Sequence, residues 1–134
     1  MRHLSILRAA WIVAGVLALC TLTACDNSLA PYHPEIISVA DNFQLQATGV
    51  QDVSETLTYT WTNTGTTAKV SHSTTTTKGS ARVVIRDAAH NVVYDATLVP
   101  SLEEDTTGGT SGVWTIELHL SGYSGTLNFR VQKN

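Results

Sequence analysis

The sequence predicts an all-β domain, an antiparallel two-sheet β-sandwich of about seven or eight strands. From Ile36 onward, apolar residues recur with a period of two, which is the period of a β-strand. No stretch there has the 3.6-residue period of an amphipathic helix. These segments are rich in Val, Thr, Tyr and Trp, and turn-forming residues separate them at short intervals. This combination is typical of a sandwich.

The clearest strand lies where Leu57, Tyr59 and Trp61 alternate with threonines, so that the three large side chains share one face. The outward threonines could order water or bind a glycan, but threonine is also an ordinary residue for an exposed strand position. Further strands are predicted over residues 36–39, 43–50 and 68–72.

Two hairpins are predicted in the second half. Residues 82–86 and 92–98 flank a loop with turn formers at both ends, Asp87 and Asn91, so that Val83 and Ile85 face inward. The last hairpin sets residues 114–120 against 127–131 across a turn at 121–125. Its apolar residues face inward, and Glu117, His119, Asn128 and Arg130 face water.

Short motifs in this region resemble those of extracellular sandwich modules. Tyr59-Thr60-Trp61, and the hairpin with Val92-Val93-Tyr94, are similar to segments of immunoglobulin-like and PKD-like domains. The resemblance implies an immunoglobulin-like fold class and no particular function. A C2-like or transthyretin-like strand order would produce the same pattern, and the cysteine pair of antibody domains is absent.

The N-terminus is typical of a targeting signal. Arg2 and Arg8 form a basic region, and residues 9–22 form an apolar stretch shorter than the roughly 20 residues that span a bilayer. Leu22-Thr23-Ala24-Cys25 follows, and it resembles the bacterial lipobox. The resemblance implies that Cys25 is diacylglycerylated on its thiol and that cleavage falls between Ala24 and Cys25.

The sequence offers two alternatives to lipidation at Cys25. Cys20 follows Leu19, where the lipobox pattern needs a small residue. An ordinary secretory signal cleaved after Ala24 would also suit the small residues at 23 and 24. The predicted organisation is a signal peptide over 1–24, a lipidated N-terminus and tether over 25–35, and the sandwich over 36–134. Residues 26–34 are polar with two prolines, and would span roughly 30 Å when extended.

The net charge and the absence of catalytic motifs limit which partners and activities we expect. The formal charge is −3, and loss of Arg2 and Arg8 leaves six Lys and Arg against eleven Asp and Glu, or −5. That balance argues against nucleic acid and against an electrostatic grip on anionic lipid headgroups. No nucleophile elbow, zinc-protease motif or phosphate loop occurs, so we expect no enzyme and no cofactor beyond the covalent lipid.

Metal binding has one weak candidate. Glu103, Glu104 and Asp105 open a predicted loop over 103–112, where clustered carboxylates could hold calcium, although a solvated acidic turn is the commoner explanation. Asp87 or Asp95 would have to join them. The histidines that survive processing, at positions 33, 72, 90 and 119, are too far apart in sequence for a typical zinc pair.

The expected function is that of a membrane-anchored cell-envelope lipoprotein whose domain is a non-catalytic binding or structural module. Its partners would be the membrane, through the lipid, and an envelope protein or a glycan. Asp26 resembles the enterobacterial inner-membrane retention signal, which implies the inner membrane facing the periplasm, and otherwise the outer membrane. The alternatives are a calcium-dependent C2-like module and a hydrolase with His72 or His119 beside a carboxylate in a pocket.

Overall fold

The computed structural model describes residues 28–134, and this part of the chain is almost entirely antiparallel β-structure. A single 3₁₀ turn, Ala30–Tyr32, precedes the strands. The bounds of the strands are β1 (Glu35–Val39), β2 (Asn42–Asn63), β3 (Ala68–His72), β4 (Thr75–Arg86), β5 (Val92–Thr97), β6 (Leu102–Asp105) and β7 (Gly112–Lys133). The prediction of an all-β fold is therefore confirmed over this range.

Two strands of 22 residues, β2 and β7, organise the fold. They pair from Asn42 opposite Gln132 to Asn63 opposite Gly112. We call residues 42–47 with 127–132 arm 1, and residues 55–63 with 112–120 arm 2. β1 and β3 flank arm 1, with β6 beyond β3, while β4 flanks arm 2, with β5 beyond it. All seven strands thus belong to one continuous sheet.

Glycines and register shifts separate the two arms. Between Ala47 and Glu55 the pairing of β2 with β7 slips three times, and Gly49, Gly122 and Gly125 have positive φ angles of 66°, 50° and 147°. β4 is irregular at the same level, where Gly79 has a φ of 69°. Bulges of this kind bend a strand without ending it. We call this region the bend end.

The bend corrects the predicted last hairpin. Residues 121–125 are not a turn but the bent middle of β7, and residues 114–120 and 127–131 do not pair with each other. Both segments pair with β2 instead. Serine and glycine in this stretch allow a bulge as readily as a turn, and the pairing with β2 decides between them.

The arms face each other across the core. The rings of Phe43 and Tyr59 lie 5.6 Å apart, although sixteen residues of straight strand would separate them by about 50 Å. The tips of the arms also meet, because the Asp41 N–H donates to the Thr62 carbonyl at 2.9 Å. The largest fully buried side chains fill the space between the arms: Trp61, Trp114, Tyr123, Phe43 and Phe129.

The inward and outward faces follow the predicted alternation except in β4, where Val84 is buried as well as its two neighbours. Val83 and Ile85 are fully buried, as are the apolar residues of β7 at alternate positions. The outward threonines at positions 56, 58, 60 and 62 are exposed. His90 occupies the left-handed region at φ 67°, in the loop between β4 and β5, where histidine is tolerated better than most residues.

Candidate binding surface

The predicted anchor lies outside the described residues. Ala24, Cys25 and Asp26 all precede Ser28, where the described part begins. The described chain begins two residues after Asp26, and its first residues contact the domain.

Within the predicted tether over 25–35, residues 28–33 pack against the domain. Leu29 is fully buried in the hydrophobic core. Ser28 donates hydrogen bonds to the Glu55 carboxylate from its backbone and from its hydroxyl, and the Tyr32 hydroxyl donates to the Gln51 carbonyl at 3.1 Å. One apolar residue in a polar stretch has no periodicity, so the sequence pattern gave no sign of this docking.

β1 forms an open edge of the sheet. It pairs only with β2 among the described strands, and all five of its residues are exposed. Ile36, Ile37 and Val39 are 39%, 47% and 56% exposed. Natural proteins usually protect such an edge with charge, proline or a bulge, and β1 contains only Glu35 as a charged residue. An apolar, unprotected edge strand is therefore the most distinctive surface of the domain.

A shallow cleft of about 270 Å³ lies beside this edge. β1 lines it with Ser38 and Val39, and arm 2 lines it with residues 60–62 and Val113. The Ser38 hydroxyl donates to the Thr60 carbonyl at 2.9 Å and so ties β1 to arm 2. Val113 is 59% exposed, which extends the apolar surface across the cleft. The cleft could receive side chains of a segment that lies along β1.

His72 and Tyr94 form a buried polar contact between β3, which flanks arm 1, and β5, which lies beyond β4 on the side of arm 2. His72 Nε2 lies 2.8 Å from the Tyr94 hydroxyl, which also donates to Glu104 at 3.0 Å. Burial lowers the pKa of His72 below its ordinary value, and the carboxylate of Glu104 opposes that shift. Burial also raises the pKa of Tyr94. Among the described residues, His72 Nδ1 has no hydrogen-bond partner.

His119 lies in a different, half-exposed cluster on the outer face of arm 2. Its Nε2 is 3.1 Å from Glu117, its Nδ1 is 3.1 Å from the Thr56 hydroxyl, and Arg86 donates to Glu117 at 2.9 Å. The bond from Arg86 lowers the pKa of the Glu117 carboxyl. Neither His72 nor His119 lines the cleft beside β1, the cleft between residues 49–51 and 124–126, or the cleft at residues 46–48.

The three calcium candidates point to different partners, because they lie on strand β6 and not in a loop. Glu103 accepts from the Ser71 hydroxyl at 3.2 Å, Glu104 from Tyr94, and Asp105 pairs with Lys69 at 3.6 Å. Strand alternation separates Glu104 from its two neighbours. In the described part of the chain, no group of three metal-ligating side chains comes together.

Asp87 and Asp95, which would have to complete a calcium site with the carboxylates of β6, make other contacts. Asp87 is 2% exposed and accepts from the backbone N–H groups of Ala89, Asn91 and Thr110 at 2.8–3.0 Å. The Thr110 bond is the largest cause of the lowered pKa of this carboxyl. Asp95 accepts from Arg82 at 2.6 Å. Asp87 thus holds two loops together, which the loop sequence alone did not indicate.

Comparison with known protein families, with curated proteins and with solved structures found no match. Within residues 28–134, no helix is long and apolar enough to cross a membrane.

Proposed function

We propose that this chain is a cell-envelope lipoprotein, anchored to a membrane through lipid on Cys25, whose β-domain is a non-catalytic binding or structural module. The observation that carries the anchor is Leu22-Thr23-Ala24-Cys25 placed directly after a basic region and an apolar stretch. The retention signal that Asp26 resembles would assign it to the inner membrane facing the periplasm, and otherwise the outer membrane is its site.

The proposed partner is an extended segment of another envelope protein that adds to the sheet along β1. Strand addition obtains affinity from main-chain hydrogen bonds and specificity from side-chain contacts. The exposure of Ile36, Ile37 and Val39 supports this mode, because aliphatic side chains on an open edge lose water contact when a strand is added. The polar threonine face of arm 2 is the surface that a glycan would use instead.

We further propose that the facing arms constitute a two-sheet sandwich. The contact between Phe43 and Tyr59, and the one between His72 and Tyr94, support this architecture. An immunoglobulin domain assigns each strand to one sheet, whereas β2 and β7 run through both arms. The sandwich is therefore proposed without the immunoglobulin strand order. The separated carboxylates of β6 give no support to a calcium-dependent module.

The partner is tested by photocrosslinking in intact cells. A benzoylphenylalanine at Ile37 should produce a reproducible adduct with one envelope protein, and the same group at Thr58, exposed on arm 2, should not. The charge-blocking substitution Val39→Lys should abolish the adduct, because a lysine on an edge opposes strand addition. Failure to form an adduct at position 37, or equal labelling from position 58, would contradict the proposed edge.

A further inference from the structure

The docked N-terminal segment leaves very little free chain between the proposed lipid and the domain. Only Asp26 and Asn27 separate Cys25 from Ser28, which is held by Glu55. Three peptide units span at most about 11 Å. If Cys25 carries the lipid, Ser28 must therefore lie within that distance of the membrane surface.

Ser28 and its neighbours lie at the bend end of the domain. Their partners, Gln51 and Glu55, belong to the stretch of β2 in which the register slips. Thr76 of β4 lies opposite Gly125 at the same level. The other end, which we call the far end, contains the arm tips and the loop of residues 87–91.

The chemistry of the bend end suits contact with lipid headgroups. Within residues 48–54, 75–80 and 121–126, the exposed side chains are hydroxyl or amide groups, apart from Asp52 and Lys78. Those two charges approach each other to 3.9 Å and offset one another. A surface of this kind offers many hydrogen bonds to headgroups, and its border carries the negative charges of Glu55, which accepts from Ser28, and of the exposed Glu35 at the start of β1.

We propose that the bend end of the domain rests on the lipid headgroups in one preferred orientation, with the far end directed away from the membrane. This inference rests on the proposed lipidation of Cys25. The combination of a tether of at most about 11 Å and a docked Leu29 restricts the rotation of the domain far more than a long linker would. β1 then begins near the membrane at Glu35 and runs away from it toward Val39.

The orientation determines where a partner can meet β1. From Thr76 to Arg86, β4 covers about 30 Å, so the far end lies up to about that distance from the headgroups when β4 runs along the membrane normal. A strand added to the sheet would lie alongside β1. Its direction would differ from the membrane normal only by the twist of the sheet. The partner segment must therefore extend outward from the membrane, and not lie flat upon it.

The test uses fluorophores on single thiols in the full, lipidated chain. One is placed at the bend end with Thr76→Cys and the other at the far end with Ala89→Cys, both at exposed positions. Each purified protein is added to vesicles of phosphatidylcholine and phosphatidylglycerol that contain a lipid with a nitroxide on its headgroup. We expect quenching to be several-fold stronger at position 76 than at position 89.

Two results overturn the inference, and they are distinguishable. Protein that floats with the vesicles but is quenched equally at both positions contradicts the orientation alone. Protein that does not float, with Cys25 free to react with the dye, contradicts the lipidation and the orientation together.

A matched control isolates the short tether. Inserting about twenty Gly and Ser residues between Asn27 and Ser28 lengthens the linker and leaves both labelled surfaces unchanged. The variant should still float, and the difference in quenching between positions 76 and 89 should decrease. An undiminished difference would contradict the tether as the cause of the orientation.

Discussion

Docking of the N-terminal segment can be measured through one side chain, Leu29. It is fully buried in the core, so Leu29→Ala removes apolar contacts and leaves a cavity. Substitutions of this kind cost about 2–5 kcal/mol. With a urea m-value of about 2 kcal/mol/M, the unfolding midpoint should fall by about 1–2.5 M. The measurement is urea unfolding monitored by tryptophan fluorescence, on a chain that begins at residue 25 and carries Cys25→Ser.

Val113→Ala is the matched control. It also removes aliphatic carbon, but Val113 is 59% exposed, and its loss should change stability by no more than about 0.5 kcal/mol. If Leu29→Ala shifted the midpoint no further than this control, residues 28–33 would not be docked. The short-tether argument would then be refuted together with the packing.

Three further predictions concern the bend and the buried polar contact. Gly125→Ala should destabilise the fold by at least about 1–3 kcal/mol, because its φ is 147° and a Cβ would come within 2.1 Å of the Thr75 carbonyl oxygen. Gly108→Ala is the control, since there is open space around Gly108, and it should leave the stability unchanged. Thermal melting measures both. Tyr94→Phe should cost about 1–3 kcal/mol in urea unfolding, because it deprives the buried His72 Nε2 of its partner; an unchanged midpoint would contradict that contact. Acid should weaken the fold through His72: its folded pKa lies below 6.5, so the unfolded chain binds the proton first, and stability falls as the pH drops below about 6.5. Urea midpoints measured from about pH 7.5 to about pH 5 should fall in the unsubstituted protein and fall less steeply in His72→Gln. Equal dependence of the midpoint on pH in the two proteins would contradict the role of His72.

Side-chain alternation was the part of the fold that the sequence could predict well. The inward positions of Val83, Ile85 and Trp114 are encoded locally, because a strand with one buried face needs an apolar residue at every second position. The strand Ala68–His72 was predicted with its observed bounds for the same reason.

Continuity of the strands could not be predicted in the same way. Gly122 and Gly125 in a serine-rich stretch satisfy a hairpin turn and a bulged strand equally well. The partner of that stretch is β2, some seventy residues earlier, and the choice depends on that distant pairing. The strand character of residues 102–105 is likewise fixed by pairing with β3.

The same contrast between local sequence and distant pairing applies to the candidate anchor and surfaces. The lipobox that residues 22–25 resemble is a linear pattern, so lipidation of Cys25 could be proposed from the sequence alone. The exposure of β1 depends on which strand lies at the edge, and the contact of Tyr94 with His72 depends on the two arms facing each other. Neither relation is present in local sequence.

Mass spectrometry of the N-terminal peptide, from protein isolated from cell membranes, tests the central claim most directly. We expect a mature chain that begins at Cys25 and carries the mass of a diacylglyceryl group on its sulfur. A mature chain that begins at Cys25 without lipid, or one cleaved at another position, would contradict it.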